Sequence, residues 1–311
     1  MSSSSPLRVA LVGIGKIARD QHVPVLAAHP EMALVATVSR NAEIEGIPGF
    51  RSLAEAFETV PEIDAVVLCT PPRVHYHQAR EALIAGRHVF LEKPPVASLA
   101  EMDALQRLAA DSGLTLFASW HSRCAAAVEP ARRWLQGREV KSVDILWKED
   151  VRRWHPGQDW IFEPGGMGVF DPGVNALSIV TCILPRPFAL THAILEVPDN
   201  RAAPIAASLA FEDEAGVPIR AELDFRQADE EIWEIVVGTT SGSLVLVKGG
   251  AGIVVDGVEQ ALVPASEYQG LYDRFVELVH EGSSDADVTP LIHVADAFLL
   301  GERRAVPAFE W

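Results

Sequence analysis

The chain opens its first patterned stretch with an apolar run at 7–12 that stops at Gly13-Ile14-Gly15-Lys16-Ile17-Ala18. A run this short, bounded by glycine, reads as a buried strand, and helical spacing follows it to about residue 28. The alternation then repeats. Strand-like runs stand at 34–38, 64–69, 88–91 and 114–118, with helical runs at 74–85 and 99–110 that stop near Gly86 and Gly113. Strands alternating with helices at this spacing predict an α/β fold built on a doubly wound parallel sheet.

The pattern changes beyond residue 122. A helix at 128–136, a weakly alternating strand at 140–148 and a helix running to about residue 184 lead into strand-like runs at 190–197, 205–212, 218–226, 231–239, 243–248 and 252–255. Glu222, Asp224, Glu230 and Glu231 interleave with apolar residues there, as on an antiparallel sheet with one wet face. Helices at 268–280 and 290–303 close the chain. The division expected is a dinucleotide-binding domain at 1–122 and an α+β domain at 123–311. The open sheet of the second domain offers a surface for a homodimer.

Composition narrows the partners. Lys and Arg number 26 against 43 Asp and Glu, a net charge of −17, which argues against nucleic acid or an anionic membrane. No apolar run approaches the ~20 residues that span a bilayer. The start, Met1 to Pro6, is polar and lacks a signal peptide's apolar core. Cys69, Cys124 and Cys182 form neither a disulfide framework nor a zinc spacing, so a cytoplasmic protein is expected. His75 and His77 are the one close histidine pair and no carboxylate cluster joins them, so no metal is expected.

The chemistry gathers at strand ends. In the turn Gly13 to Ala18 the first glycine permits the bend, the second lets a pyrophosphate approach, and Ala18 lets helix and strand pack closely. Gly13, Ile14, Gly15, Lys16 and Ile17 are therefore the phosphate-site residues expected of a dinucleotide fold. Ser39-Arg40 ends the second strand where an NAD site carries an acid. With no carboxylate to repel a 2′-phosphate and a guanidinium to pair with it, NADP is favoured over NAD. Glu92-Lys93-Pro94-Pro95 sets a charged pair where another buried strand stops, the place where such sheets bind ligands.

Thr70-Pro71 with His75, then Ala85-Gly86-Arg87-His88-Val89 leading into Glu92-Lys93-Pro94, resembles the glucose–fructose oxidoreductase/inositol dehydrogenase family. The resemblance implies that Thr70, Pro71, His75, Glu92 and Lys93 serve the cofactor, that Lys93 reaches the substrate beside the nicotinamide, and that Lys93-Pro94 is cis. Gly165, Gly166, Gly168, Asp171, Gly173 and Asn175 resemble the family's second signature, which usually ends in histidine where this chain has Asn175. Segments 13–22, 120–124, 147–158 and 168–181 are similar to the family's bacterial aldose 1-dehydrogenases. That likeness implies oxidation of C1 of L-arabinose or D-galactose to a lactone.

On that reading Asp171 is the base and Lys93 its electrostatic partner, with the reverse assignment open. Asp171 is equally suited to cap a helix beginning at Pro172. His121, Glu149, His155 and Asn175 are the candidates for the sugar hydroxyls. Trp154 and Trp160 are suited either to stack on the sugar's C–H face or to fill a core. An inositol or polyol dehydrogenase and a non-catalytic dinucleotide-binding regulator are the competing readings.

Overall fold

The computed structural model describes residues 5–311; residues 1–4 of the polar start lie outside them. The first part of the chain runs β1 (Leu7–Val12), a π-helical turn (Ala18–His22), α1 (Val23–Ala28), β2 (Met32–Val38), β3 (Gly49–Phe50), α2 (Leu53–Thr59), β4 (Ala65–Leu68), α3 (Pro72–Ile84), β5 (His88–Leu91), α4 (Leu99–Ser112) and β6 (Leu116–Ala118). These strands pair in parallel in the order β3-β2-β1-β4-β5-β6. β4 and β5 are buried nearly throughout, which is why they read as unbroken apolar runs. The order reverses between β1 and β4, the switch point where such sheets take ligands.

The chain continues through α5 (Val128–Leu135), β7 (Val140–Lys148), α6 (Val151–Trp154), α7 (Phe170–Ile183), β8 (Phe188–Pro198), β9 (Ala206–Asp213), β10 (Pro218–Asp224), β11 (Ile232–Thr239), β12 (Gly242–Val247), β13 (Gly252–Val255), β14 (Val258–Glu259), α8 (Glu267–Glu281), α9 (Thr289–Leu300) and β15 (Glu302–Val306). Its nine-stranded sheet has the order β14-β13-β12-β11-β7-β10-β9-β8-β15. The pairs are antiparallel except β10 with β7 and β15 with β8. The helix expected over 290–303 ends at Leu300, and residues 302–306 form an edge strand instead. Among the described residues no helix is long and apolar enough to cross a membrane.

The chain forms two compact units. One holds the residues up to His121 together with Tyr268–Val288; the other holds Ser122–Glu267 and Thr289–Trp311. α8 therefore belongs to the first unit, although its place in the sequence assigns it to the second. The reason is its apolar face. Tyr272 stacks on Phe90 of β5 at 5.2 Å between ring centres, and Phe275 meets the same ring edge-on at 5.5 Å.

This aromatic core encloses a carboxylate, Glu92. Glu92 Oε1 accepts from the Tyr268 hydroxyl at 2.7 Å and lies 3.3 Å from His22 Nε2, while Oε2 accepts from the Lys93 backbone N–H. His22 Nδ1 meets the Tyr272 hydroxyl at 2.7 Å. Burial pushes the Glu92 carboxyl up, but the hydrogen bond and charge of His22, the charge of His121 and the Tyr268 hydroxyl outweigh it and hold the pKa at about 2.

In the second unit the glycine-rich run before α7 is a packing device. A Cβ on Gly166 would lie 2.4 Å from the Ile161 carbonyl oxygen, and one on Gly168 2.2 Å from that of Pro204. Gly168 also has a φ of +54°.

Two outcomes follow. Glu92 has its folded pKa below the ordinary 4.5, so its stabilisation is present above that value and is lost as pH falls toward about 2. Urea titrations across this window should show wild type losing stability more steeply than Glu92→Gln; parallel curves would refute the account. Gly168→Ala should cost at least about 2 kcal/mol, through clash as well as strain. Gly216→Ala, at φ +76° in open space, should cost only the backbone strain of about 1–2 kcal/mol. Equal losses in thermal melts would show that the Pro204 contact yields freely.

Candidate active site

Parallel pairing puts Gly13, Ser39, Thr70 and Glu92, which follow β1, β2, β4 and β5, at one carboxyl edge of the first unit's sheet. Gly13 has a φ of +88°, and a Cβ there would lie 2.8 Å from Thr70 Cγ2 and 2.9 Å from the Cys69 carbonyl carbon. Its N–H donates to the Val38 carbonyl at 2.9 Å. Gly15 differs: a Cβ built on it meets nothing within 4 Å. That space is where a phosphate approaches the backbone, so the turn fits a dinucleotide. Ile14 is buried beneath it, Ile17 is exposed, and Lys16 pairs with Asp20 on the surface.

Ser39 and Arg40 end β2 as expected, and they have company that apolar patterning does not reveal. Ser39 N–H donates to the Phe50 carbonyl at 3.0 Å. Arg51, just past β3, donates to the carbonyls of Ser39 at 3.3 Å and of Arg40. Arg19 donates to the Glu43 carbonyl at 3.2 Å. Arg51 and Arg19 thus hold backbone carbonyls of the segment that leaves β2, and the Arg51 guanidinium also lies 3.8 Å from Glu43 Oε1.

Lys93-Pro94 is cis. The segment is pinned on both sides: Glu92 N–H donates to the Leu68 carbonyl at 3.0 Å, and His75 Nδ1 donates to the Pro95 carbonyl at 3.0 Å. His75 is wholly enclosed, and burial lowers its pKa. It is closed to solvent and holds the Pro95 carbonyl. Pro71 stands at the N-cap of α3, and Thr70 Oγ1 bonds Gln78 at 2.5 Å. The His121 ring lies parallel to Tyr268, 14° off plane with centres 5.6 Å apart.

In the second unit β7 delivers Glu149 into a buried position. Its N–H donates to the Asp224 carbonyl at 2.9 Å, and its Oε2 accepts from Trp233 Nε1 at 2.9 Å. Asp150 caps α6 by accepting from the Arg152 N–H. Trp154, 44% exposed, leans on Trp233 at 5.5 Å between ring centres. Trp160 is 50% exposed and edge-on to His155, so neither tryptophan is a core residue. His155 Nε2 lies 3.4 Å from Asp171 Oδ2.

Asp171 is not the helix cap that its place before Pro172 suggests. Gly168 turns the chain early: the Asp171 N–H already donates to the Gly168 carbonyl at 3.0 Å, and the N-cap is Val169, with no side-chain bond. Asp171 sits inside the first turn, 7% exposed, at the positive end of the helix. Asn175, one turn on, shares its face. The second unit thus gathers Asp171, His155 and Asn175, and separately Glu149 with Trp233 and Trp154.

A cleft of about 610 Å³ beside α5, lined by residues including Glu129, Arg133, Trp134 and Val263, holds none of these groups. Among the described residues no three His, Cys, Asp or Glu side chains converge as metal ligands would.

Residues 7–119 match the oxidoreductase family with an NAD-binding Rossmann fold. The chain is 44% identical over 305 residues to galactose 1-dehydrogenase of Pseudomonas fluorescens, covering 98% of this chain and 99% of that protein. The crystal structure of the D-galactose-1-dehydrogenase protein from Rhizobium etli matches with a TM-score of 0.97 and 52% identity, over 100% of both chains. A 3-ketoreductase from Actinomadura kijaniata, crystallised with NADP and TDP-benzene, shares the fold at a TM-score of 0.84 and 18% identity, over 97% of this chain and 100% of that one. With its glycine turn at the switch point and its Glu-Lys-Pro segment at the end of β5, the chain belongs to the glucose–fructose oxidoreductase/inositol dehydrogenase family, oxidoreductases built on an NAD-binding Rossmann fold.

Proposed function

We propose that this protein oxidises the anomeric C1 of a cyclic aldose, D-galactose or L-arabinose, to its lactone, with NADP preferred over NAD. The observation that carries the reading is the pairing of a nearly buried carboxylate with a histidine: Asp171 Oδ2 lies 3.4 Å from His155 Nε2 in the first turn of α7. The relatives named for galactose 1-dehydrogenase support a sugar substrate. Arg40 at the end of β2, with the Arg51 guanidinium bonded to its carbonyl, supports a phosphorylated dinucleotide. The segment 1–122 serves the dinucleotide, and 123–311 serves the sugar and a dimer formed through the nine-stranded sheet. The protein works in the cytoplasm.

Gly13 to Ile17 hold the pyrophosphate, and Ser39 with Arg40 hold the 2′-phosphate. The dinucleotide, when bound, supplies the hydride acceptor. Asp171 takes the proton of the anomeric hydroxyl, aimed by His155; Lys93 stabilises the oxygen's developing charge. Glu149, fixed by Trp233, reads ring hydroxyls with His121, His155 and Asn175, and the exposed faces of Trp154 and Trp160 receive the C–H side.

L-Arabinose and D-galactose share their configuration at C2, C3 and C4, and a site reading those hydroxyls leaves buried groups unpaired against a sugar inverted at C4. Steady-state kinetics with NADP and NAD should show both sugars oxidised within about two decades of each other in kcat/KM, and D-glucose well below. Preference for D-glucose or myo-inositol, or inertness toward both leading sugars, would overturn the substrate assignment. Asp171→Asn should lower kcat by about 10²-fold while the melting temperature holds, since Val169 and not Asp171 caps the helix. Near-normal turnover would pass the base role to Lys93.

A further inference from the structure

The buried group behind Lys93 points to a residue outside the reactive set. His22 is fully enclosed and closes the π-helical turn that follows the glycine motif. Its Nε2 lies 3.3 Å from Glu92 Oε1, the oxygen that also accepts from Tyr268. The other oxygen of Glu92 accepts from the Lys93 backbone N–H. A carboxylate only accepts, so Nε2 carries a hydrogen and donates, whichever way the proton on the Tyr272 hydroxyl points toward Nδ1. The ring is wedged edge-on against Tyr268 at 5.0 Å, Tyr272 at 5.8 Å and Phe90 at 5.9 Å, so it has no room to turn. Two donors from different elements therefore set the angle of the Glu92 carboxylate, and the carboxylate sets the peptide from which the Lys93 side chain departs.

We propose that His22 is a positioning residue: acting through Glu92, it ties the direction of the Lys93 side chain to the helix that begins at the dinucleotide turn. π-Helical turns are frequent at functional sites. Here the last residue of the turn is the donor that reaches Glu92. The inference rests on the assignment of Lys93 to the reaction, and a readout on the lysine itself separates the two.

The two nitrogens of His22 are separable by substitution. His22→Gln keeps a donor near the Nε2 position, toward Glu92; His22→Asn keeps one near Nδ1, toward Tyr272. Reductive ¹³C-methylation labels Lys16, Lys93, Lys141, Lys148 and Lys248, and Lys93→Arg assigns the Lys93 signal. In the apoprotein the Lys93 signal should stay in place in His22→Gln and move in His22→Asn. In unlabelled protein kcat should fall about tenfold or more in His22→Asn and stay within about threefold of wild type in His22→Gln, the scale of a small misplacement of a reacting group. NADPH affinity, followed by nicotinamide fluorescence, should change less than about threefold in both, which excludes a general loosening of the turn.

Tyr268→Phe, which removes the second donor to Glu92 and keeps the ring, should move the Lys93 signal in the same direction. It also serves as the test should either His22 variant fail to fold. An unmoved Lys93 signal in both His22→Asn and Tyr268→Phe overturns the inference, as does equal damage from Gln and Asn at 22. A Lys93 signal that moves while kcat holds leaves the positioning intact and removes Lys93 from the reaction.

Discussion

No side chain fits at residue 13, and much of the first unit follows from that. With a Cβ excluded by the backbone at Cys69 and the methyl of Thr70, β1 and β4 lie side by side and the chain leaves β1 in a left-handed bend. The bend starts the helical segment in register to place His22 under the end of β5, and it leaves Gly15 bare on the other side. One steric condition thus fixes both an opening for a phosphate and the floor beneath Lys93. The aromatic packing of α8 then keeps that floor dry, which strengthens each hydrogen bond within it.

Two of the carboxylate–histidine pairs, one in each unit, differ in exposure. The His22 and Glu92 side chains are 0% and 5% exposed, those of His155 and Asp171 18% and 10%. A pair closed to solvent is a brace: its charge is matched by fixed donors and changes little while the fold stands. The same two residue types therefore form a sealed pair in one unit and a partly open pair in the other.

Fully buried strands were the most legible part of the chain. β1 and β5 begin and end where their apolar runs do, because near-complete burial leaves no room for polar interruption, and β7 ends where its alternation of buried and part-exposed positions does. β15, Glu302–Val306, was hidden: an exposed edge strand of charged residues has no period to read. β3 and α2 were too short to stand out between Ser39 and Asp64. The glycine turn, Ser39, Thr70 and Glu92 could be grouped from sequence because parallel topology sends strand ends to one edge. His22, Tyr268 and Arg51 could not, since their partners lie 70, 176 and 12 residues away and no periodicity marks such a bond. The early start of α7 depends on the tight seat of Gly168 against Pro204, which is equally invisible in one dimension.

The return of α8 to the first unit bears on how the chain is made. A ribosome delivers the six parallel strands first, but Phe90 and Phe117 lack the rings of Tyr272 and Phe275, and Glu92 the bond from Tyr268, until residues 268–288 emerge. Until then the sheet carries an uncovered apolar face, and Glu92 has His22 but not Tyr268 as a side-chain donor. The second unit's segment 122–267 is complete in the nascent chain before the first can close over Glu92. The first unit is thus incomplete until residues 268–288 have been made, and the second until α9 and β15 follow them.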